Sequence, residues 1–205
     1  MPRFSGAQER LLAAAMELIW THSYGSTSVD AICARAKVKK GSFYYFFSSK
    51  SDLAVAAIDA AWQTKKLEND RIFSPTNPPL DRLRLYFEVG YRTQAELKAK
   101  VGFVLGCPLF SLGCELSTQD EAIRTKVLEV ININIKYLET TIRDAQAEGF
   151  IPVSDVAAKA RQLFAYCEGV LAQARIENNL ELVRSLGANA MDLLGASSQT
   201  PREAA

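Results

Sequence analysis

The stretch Thr27-Ser-Val-Asp-Ala-Ile-Cys-Ala-Arg-Ala-Lys-Val-Lys-Lys-Gly-Ser-Phe-Tyr-Tyr-Phe-Phe-Ser-Ser-Lys-Ser-Asp-Leu53 decides the fold. Thr27 and Ser28 are good helix N-caps, and they open a helix over about 28–35. Ala36-Lys37-Val38 makes a tight turn, and a second short helix follows at about 39–46. Ser48 or Ser49 then caps a long helix over about 50–68. Two short helices around a three-residue turn, with basic residues at the start of the second, form a helix-turn-helix over about 28–47.

The chemistry of the second short helix suits a DNA major groove about 12 Å wide. Its entering end needs small or basic residues, and Lys39, Lys40, Gly41 and Ser42 stand there. Gly41 lets the backbone approach closely, while Lys39 and Lys40 reach either phosphates or guanine edges. Tyr44 and Tyr45 carry a flat apolar body and a hydroxyl, suited to phosphate or a thymine methyl. Phe43 and Phe47 are expected to pack inward. Lys50 places a cation beside the unbonded N–H groups of a helix start, a setting for phosphate.

Outward from this core the chain reads as helices throughout, and the fold class is all-α. A first helix spans about 7–22, with Leu11, Leu12, Ala15, Ile19 and Trp20 as its apolar stripe. Ser74-Pro-Thr-Asn-Pro-Pro79 breaks the helical pattern. Further helices are expected at about 80–98, 108–117, 119–148, 155–176 and 179–194. Gly149 should stop one of them and Ser154 should cap the next. The tail 196–205 is expected to be disordered.

Composition bounds the function. The 205 residues carry 24 Lys+Arg, 23 Asp+Glu, one His and four Cys, with 48% hydrophobic residues and a net charge of +1. That sum hides an asymmetry. Residues 1–50 hold seven basic against three acidic side chains, or +4, and the remainder is −3. A basic segment of this kind is the footprint of a nucleic-acid partner. Four sparse cysteines predict a reducing, cytoplasmic setting. No apolar run has the length of a membrane span, and MPRFSGAQER lacks a secretory-type apolar segment. Cys33, Cys107, Cys114 and Cys167 lie too far apart for a zinc site, so neither metal nor cofactor is expected. A cysteine-nucleophile enzyme would need a base, and the single His22 belongs to the head. There is no Gly-x-Ser-x-Gly elbow and no phosphate loop, so no catalytic residue is expected. An adaptor without DNA binding predicts no salt-dependent affinity for duplex DNA.

These motifs carry a resemblance. Residues 5–65 look like the DNA-binding domain of the tetracycline-repressor (TetR) family of bacterial transcription regulators. The matching segments are Thr27–Ile32, Ala36–Gly41, Ser42–Phe47 and Ser49–Leu53. The resemblance implies a three-helix head joined by a long helix to a larger helical ligand-binding and dimerisation domain at 80–195. It also implies phosphate contacts from Thr27 or Ser28 and from Lys50, groove entry by Lys39, Lys40, Gly41 and Ser42, and base or phosphate contacts from Tyr44 and Tyr45. The implied protein is a repressor that binds a palindromic operator as a homodimer through about 155–194 and is released by a small-molecule effector. It would be nucleoid-associated when bound.

For the effector, the lining candidates are Trp62, Phe87, Tyr91, Phe103, Cys107, Phe110 and Tyr166. Cys107 lies in Gly-Cys-Pro108, a motif resembling that of family members which sense electrophiles or small acids. At a helix N-terminus its thiolate would be favoured. Cys107 and Cys114, seven residues apart, would have Cα atoms about 10 Å apart on a helix, too far for a disulfide. Three positions depart from the family pattern. Lys37 stands where Gly is common in the turn, Ser23 where Gly often follows the first helix, and Phe46 where His is frequent. A non-Gly residue in a left-handed turn costs about 1 kcal/mol.

Overall fold

A computed structural model describes residues 6–196. Among them lie nine helices: α1 (Gly6–Thr21), α2 (Val29–Ala36), α3 (Lys40–Phe46), α4 (Lys50–Ile72), α5 (Pro79–Val101), α6 (Pro108–Leu116), α7 (Glu121–Ala147), α8 (Val156–Glu177) and α9 (Leu180–Leu193). Every helix expected from the sequence is present. Residues 197–205, most of the tail expected to be disordered, lie outside the described residues.

Local chemistry explains the helix ends. Ser28 caps α2, its hydroxyl accepting from the Ala31 N–H at 3.0 Å. Lys37 ends α2 in the left-handed region at φ 54°, and its N–H donates to the Ala34 carbonyl. The turn is thus left-handed despite lacking glycine. Ser49 accepts from the Asp52 N–H at 3.0 Å at the start of α4. Gly149 (φ 79°) ends α7 as expected, with the Phe150 N–H reaching back to the Ala145 carbonyl. The cap of α8 is Asp155, not Ser154: Asp155 accepts from the Ala158 N–H at 2.9 Å. A carboxylate here also meets the positive end of the helix dipole.

The described residues form two compact units, one of residues 6–66 with 108–130 and the other of 67–107 with 131–196. Each unit joins two separate stretches of the chain. Helices α4 and α7 each cross the division, and α6 belongs wholly to the first unit.

In the first unit, α1 packs on α2, α3 and α6. Its buried side chains include Leu11, Leu12, Ile32, Phe43, Phe47, Leu53 and Ile58, with Leu112, Ile123 and Val127 from the later segment. Gly113 lets α6 approach α7, since a Cβ there would stand 3.1 Å from Val127. Polar ties complete it. Lys126 bridges Asp59 at 3.0 Å, and Asp120 accepts from the Ser51 hydroxyl, the main reason its carboxyl is held below the usual range.

In the second unit, α9 packs on α5 and α8 around Leu83, Phe87, Leu138, Ile142, Leu163 and Leu186. The Pro-rich segment before α5 is stapled by buried Arg82, which donates to the Asn77 and Pro75 carbonyls and pairs with Asp144.

Candidate nucleic-acid interface

The two sides of α3 differ sharply. Phe43 is fully buried and Phe47 is 4% exposed, whereas Tyr44 is 57% and Tyr45 82% exposed. This is the inward and outward split expected from the sequence. The inward pair carries the apolar area that locks the helix down. Phe43 meets Tyr44 edge-on, with ring centroids 5.0 Å apart, which fixes the Tyr44 ring from beneath.

The N-terminal end of α3 is open. Lys39 is the N-cap residue, exposed, and its side chain makes no capping bond. Gly41 is exposed, and a Cβ built on it would meet nothing within 4 Å. Its φ is not positive, so nothing inside the chain demands glycine there. Ser42 is half-buried, its N–H donating to the Lys39 carbonyl at 2.9 Å. Lys40 is exposed and pairs with Asp30 of α2 at 2.8 Å, and that hydrogen bond holds its ammonium above the ordinary lysine value.

Three other predicted contact residues are engaged within the chain. Thr27 is 3% exposed and its hydroxyl donates to the Ser23 carbonyl at 2.6 Å. Ser28 is the cap of α2. Lys50 donates to the Tyr24 carbonyl at 2.9 Å and the Thr27 carbonyl at 3.0 Å, and its Nζ lies 3.9 Å from the Tyr24 ring centroid. Burial pushes the Lys50 ammonium below its ordinary value. Two of its three donors hold the α1–α2 loop in place, so Lys50 builds the interface from within.

The same loop is held from the other side by a residue the sequence reading did not single out. Glu115 of α6 accepts from the Tyr24 N–H at 3.0 Å and the Gly25 N–H at 2.7 Å. No local pattern announces a contact 90 residues distant. Phe46, where the family often has His, is half-buried and touches Tyr45 edge-on at 4.9 Å.

Residues 11–57 match the model of "Bacterial regulatory proteins, tetR family", and residues 79–187 match "Tetracyclin repressor-like, C-terminal domain". The "Transcriptional regulator AcuR" of Cereibacter sphaeroides is 31% identical over 86% of this chain and 80% of its own length. The chain belongs to the TetR family. It is a DNA-binding transcriptional regulator, and members of this family are regulators, not enzymes. The "HTH-type transcriptional repressor DhaR" of a Mycobacterium species is 26% identical, with 85% of each chain covered. The crystal structure titled "regulatory protein TetR from Rhodobacter sphaeroides" superposes with a TM-score of 0.81 at 29% identity, covering 92% of this chain and 99% of that one.

The effector candidates do not all fall in one place. Trp62 and Phe110 belong to the first unit, and Phe87, Tyr91, Phe103, Cys107 and Tyr166 to the second. Phe103 is 61% exposed and closes no part of a buried space within its unit. Phe87 and Tyr91 border an open groove of about 350 Å³ between α5 and α9, beside Arg84 and Arg184. Tyr166 packs against the main apolar cluster. Cys107 is half-buried and precedes the first residue of α6, and Cys114 is exposed on it. The Cys107 thiol donates a hydrogen bond to the Glu168 carboxyl. Among the described residues no group of His, Cys, Asp and Glu has the arrangement of a metal site, and no helix is long and apolar enough to cross a membrane.

Proposed function

We propose that this regulator is a homodimeric repressor that reads a palindromic operator with α3 and is released by a small-molecule effector. The observation that carries the DNA-reading surface is the open end of α3. Its inward face is fixed by Phe43 and Phe47, while Lys39, Gly41, Tyr44 and Tyr45 face outward and are exposed. A glycine exposed in a helix costs stability, and the gain lies in the close approach of a partner backbone.

In this reading Lys39, Lys40 and Ser42 enter the groove, Tyr44 and Tyr45 reach bases and phosphates, Ser28 and the third donor of Lys50 meet the phosphate backbone, and buried Thr27 shapes the loop between them. The dimer forms through α8 and α9, which leave Ile176 84% and Leu193 40% exposed on the single chain. Two heads then meet half-sites about 34–36 Å apart on one DNA face. The repressor role follows DhaR, whose name carries it. The head is taken as 5–65 and the regulatory body as 80–195. The protein would work in the cytoplasm, on the nucleoid.

Selecting fragments of the source genome bound by the full chain tests this. A recovered palindrome, with binding weakened by Tyr44→Ala and by Lys40→Ala, is the expected result. Recovery of no preferred sequence, or unchanged affinity in both variants, rejects α3 as the reading helix.

A further inference from the structure

Among the described residues, two charged side chains are buried, and they are treated very differently. Arg82 of α5 is paired with Asp144 and hydrogen-bonded to two carbonyls. Glu168 of α8 is 6% exposed, and its Oε2 has no hydrogen-bond partner. The Cys107 thiol donates a hydrogen bond to its carboxyl, and burial pushes that carboxyl up to about 7. Beside it on α8, Phe164, Tyr166, Cys167 and Val170 belong to or pack on the second unit's apolar cluster. The titratable groups close to it are Cys107, Tyr86 of α5 and Cys167, whose thiol burial pushes up to about 12. No lysine, arginine or histidine contributes to its ionisation. An orphan carboxyl oxygen in such surroundings costs stability, and more when the group is charged.

The loop that brings Cys107 to Glu168 is firmly built. Gln94 accepts from the Leu105 and Gly106 N–H groups at 3.1 and 2.9 Å and donates to the Gly106 carbonyl at 3.0 Å. Arg175, two turns beyond Glu168 on α8, donates to the Leu105 carbonyl at 2.9 Å. Asn178 at the end of α8 accepts from the Val104 N–H at 2.9 Å and donates to the Gly102 carbonyl at 3.1 Å. Gly106 has φ 65°, and a Cβ there would stand 3.0 Å from the Leu171 carbonyl oxygen, so only glycine serves.

We propose that Glu168 anchors a binding site for a small organic cation, of the protonated alkylamine class, whose ammonium group donates to the unpartnered Oε2. This rests on the effector reading above and names the chemistry of its ligand. A cation is the complement such a site lacks. It offsets the cost of the buried carboxylate and forms a charge-assisted bond about twice as strong as a neutral one. An ammonium beside the carboxyl favours its ionised form, so binding releases a proton to solvent. The response also has a covalent route onward. Cys107 is followed directly by Pro108, the first residue of α6, and Glu115 of α6 holds the Tyr24 and Gly25 N–H groups beside the recognition helix-turn-helix.

The full chain is melted with n-butylamine, n-butanol or butyrate at millimolar concentration, below and above neutrality. Butylamine should raise the melting temperature by a few degrees, more so above neutrality, and the shift should vanish in Glu168→Gln. Butanol and butyrate should do little. Absence of an amine effect, its persistence in Glu168→Gln, or a larger effect of butyrate overturns the proposal. Should Glu168→Gln fail to fold by circular dichroism, the carboxyl ¹³C resonance of Glu168 in the unsubstituted chain decides. Its titration midpoint must move to lower pH on adding butylamine, to a proton concentration at least about tenfold higher, and an unmoved midpoint refutes the site. Retention of DNA fragments by the same samples tests the regulator reading independently, since loss of DNA binding with an intact amine response sinks that reading alone.

Discussion

Gly41 sits in the first turn of α3 with open space where a Cβ would stand, and a helix interior favours alanine over glycine by up to about 1 kcal/mol. Gly41→Ala should therefore raise the unfolding free energy by roughly 0.5–1 kcal/mol while weakening operator binding about tenfold or more, or 1.4 kcal/mol. Denaturant titration beside fragment binding measures both, and a variant that gains stability and keeps its affinity would show that no partner backbone approaches there. The residue scale was also where the sequence was most legible. The Phe43/Phe47 inward and Tyr44/Tyr45 outward split follows from side-chain character on a short amphipathic helix, and the turn at 36–38 was legible too, although the structure alone shows that Lys37 takes the left-handed place without glycine. Glu168 was not legible, because one acid in an apolar stripe looks like an edge residue until its partners are known. Its burial has a pH signature. A carboxyl whose folded value is raised from 4.5 to about 7 binds its proton more tightly folded than unfolded. Its contribution to stability is whole below about pH 4.5, declines as pH rises towards 7, and is level above, a change of about 3 kcal/mol at most. The stability difference between the unsubstituted chain and Glu168→Met should follow that decline, and a difference flat from acid to neutral pH contradicts the burial.

The α1–α2 loop is held by two elements at once, Lys50 of α4 at its carbonyls and Glu115 of α6 at its N–H groups. Periodicity and capping located both helices, since those signals are local. Neither reveals that α6 folds back on the head, because Glu115 lies about 90 residues from the Tyr24 and Gly25 N–H groups it holds and is an ordinary charged residue on its own helix. For the same reason the compact unit that holds the head also takes in 108–130. Glu115 is thus a positioning residue for the interface and touches no part of α3. Glu115→Gln keeps one acceptor where two N–H groups need one each, so the Tyr24 and Gly25 amides should exchange with solvent faster. Operator affinity should fall several-fold with α3 unaltered. Hydrogen exchange read at those two amides checks it, and protection equal to that of the unsubstituted chain would remove Glu115 from the assembly of the site.

At the scale of the whole molecule the net charge of +1 divides into +4 over residues 1–50 and −3 over the rest, so long-range attraction to DNA is modest and the contacts at the head decide affinity. This makes the salt dependence a count of heads. Each phosphate neutralised contributes about 0.9 to the slope of log affinity against log salt concentration. Lys39 makes the cleanest probe, because among the described residues it has no ion pair to rearrange, unlike Lys40 with Asp30 or Lys50 with the loop carbonyls. If Lys39 meets a phosphate and a homodimer places two heads on one operator, Lys39→Ala removes two contacts. The slope should then shrink by about 1.8, whereas a single head shrinks it by about 0.9. Titrating operator binding over a salt series for both proteins distinguishes these values. A reduction near 0.9 rejects simultaneous docking of two heads, and no reduction at all removes Lys39 from the phosphate contacts while leaving the exposed tyrosines of α3 to be tested on their own.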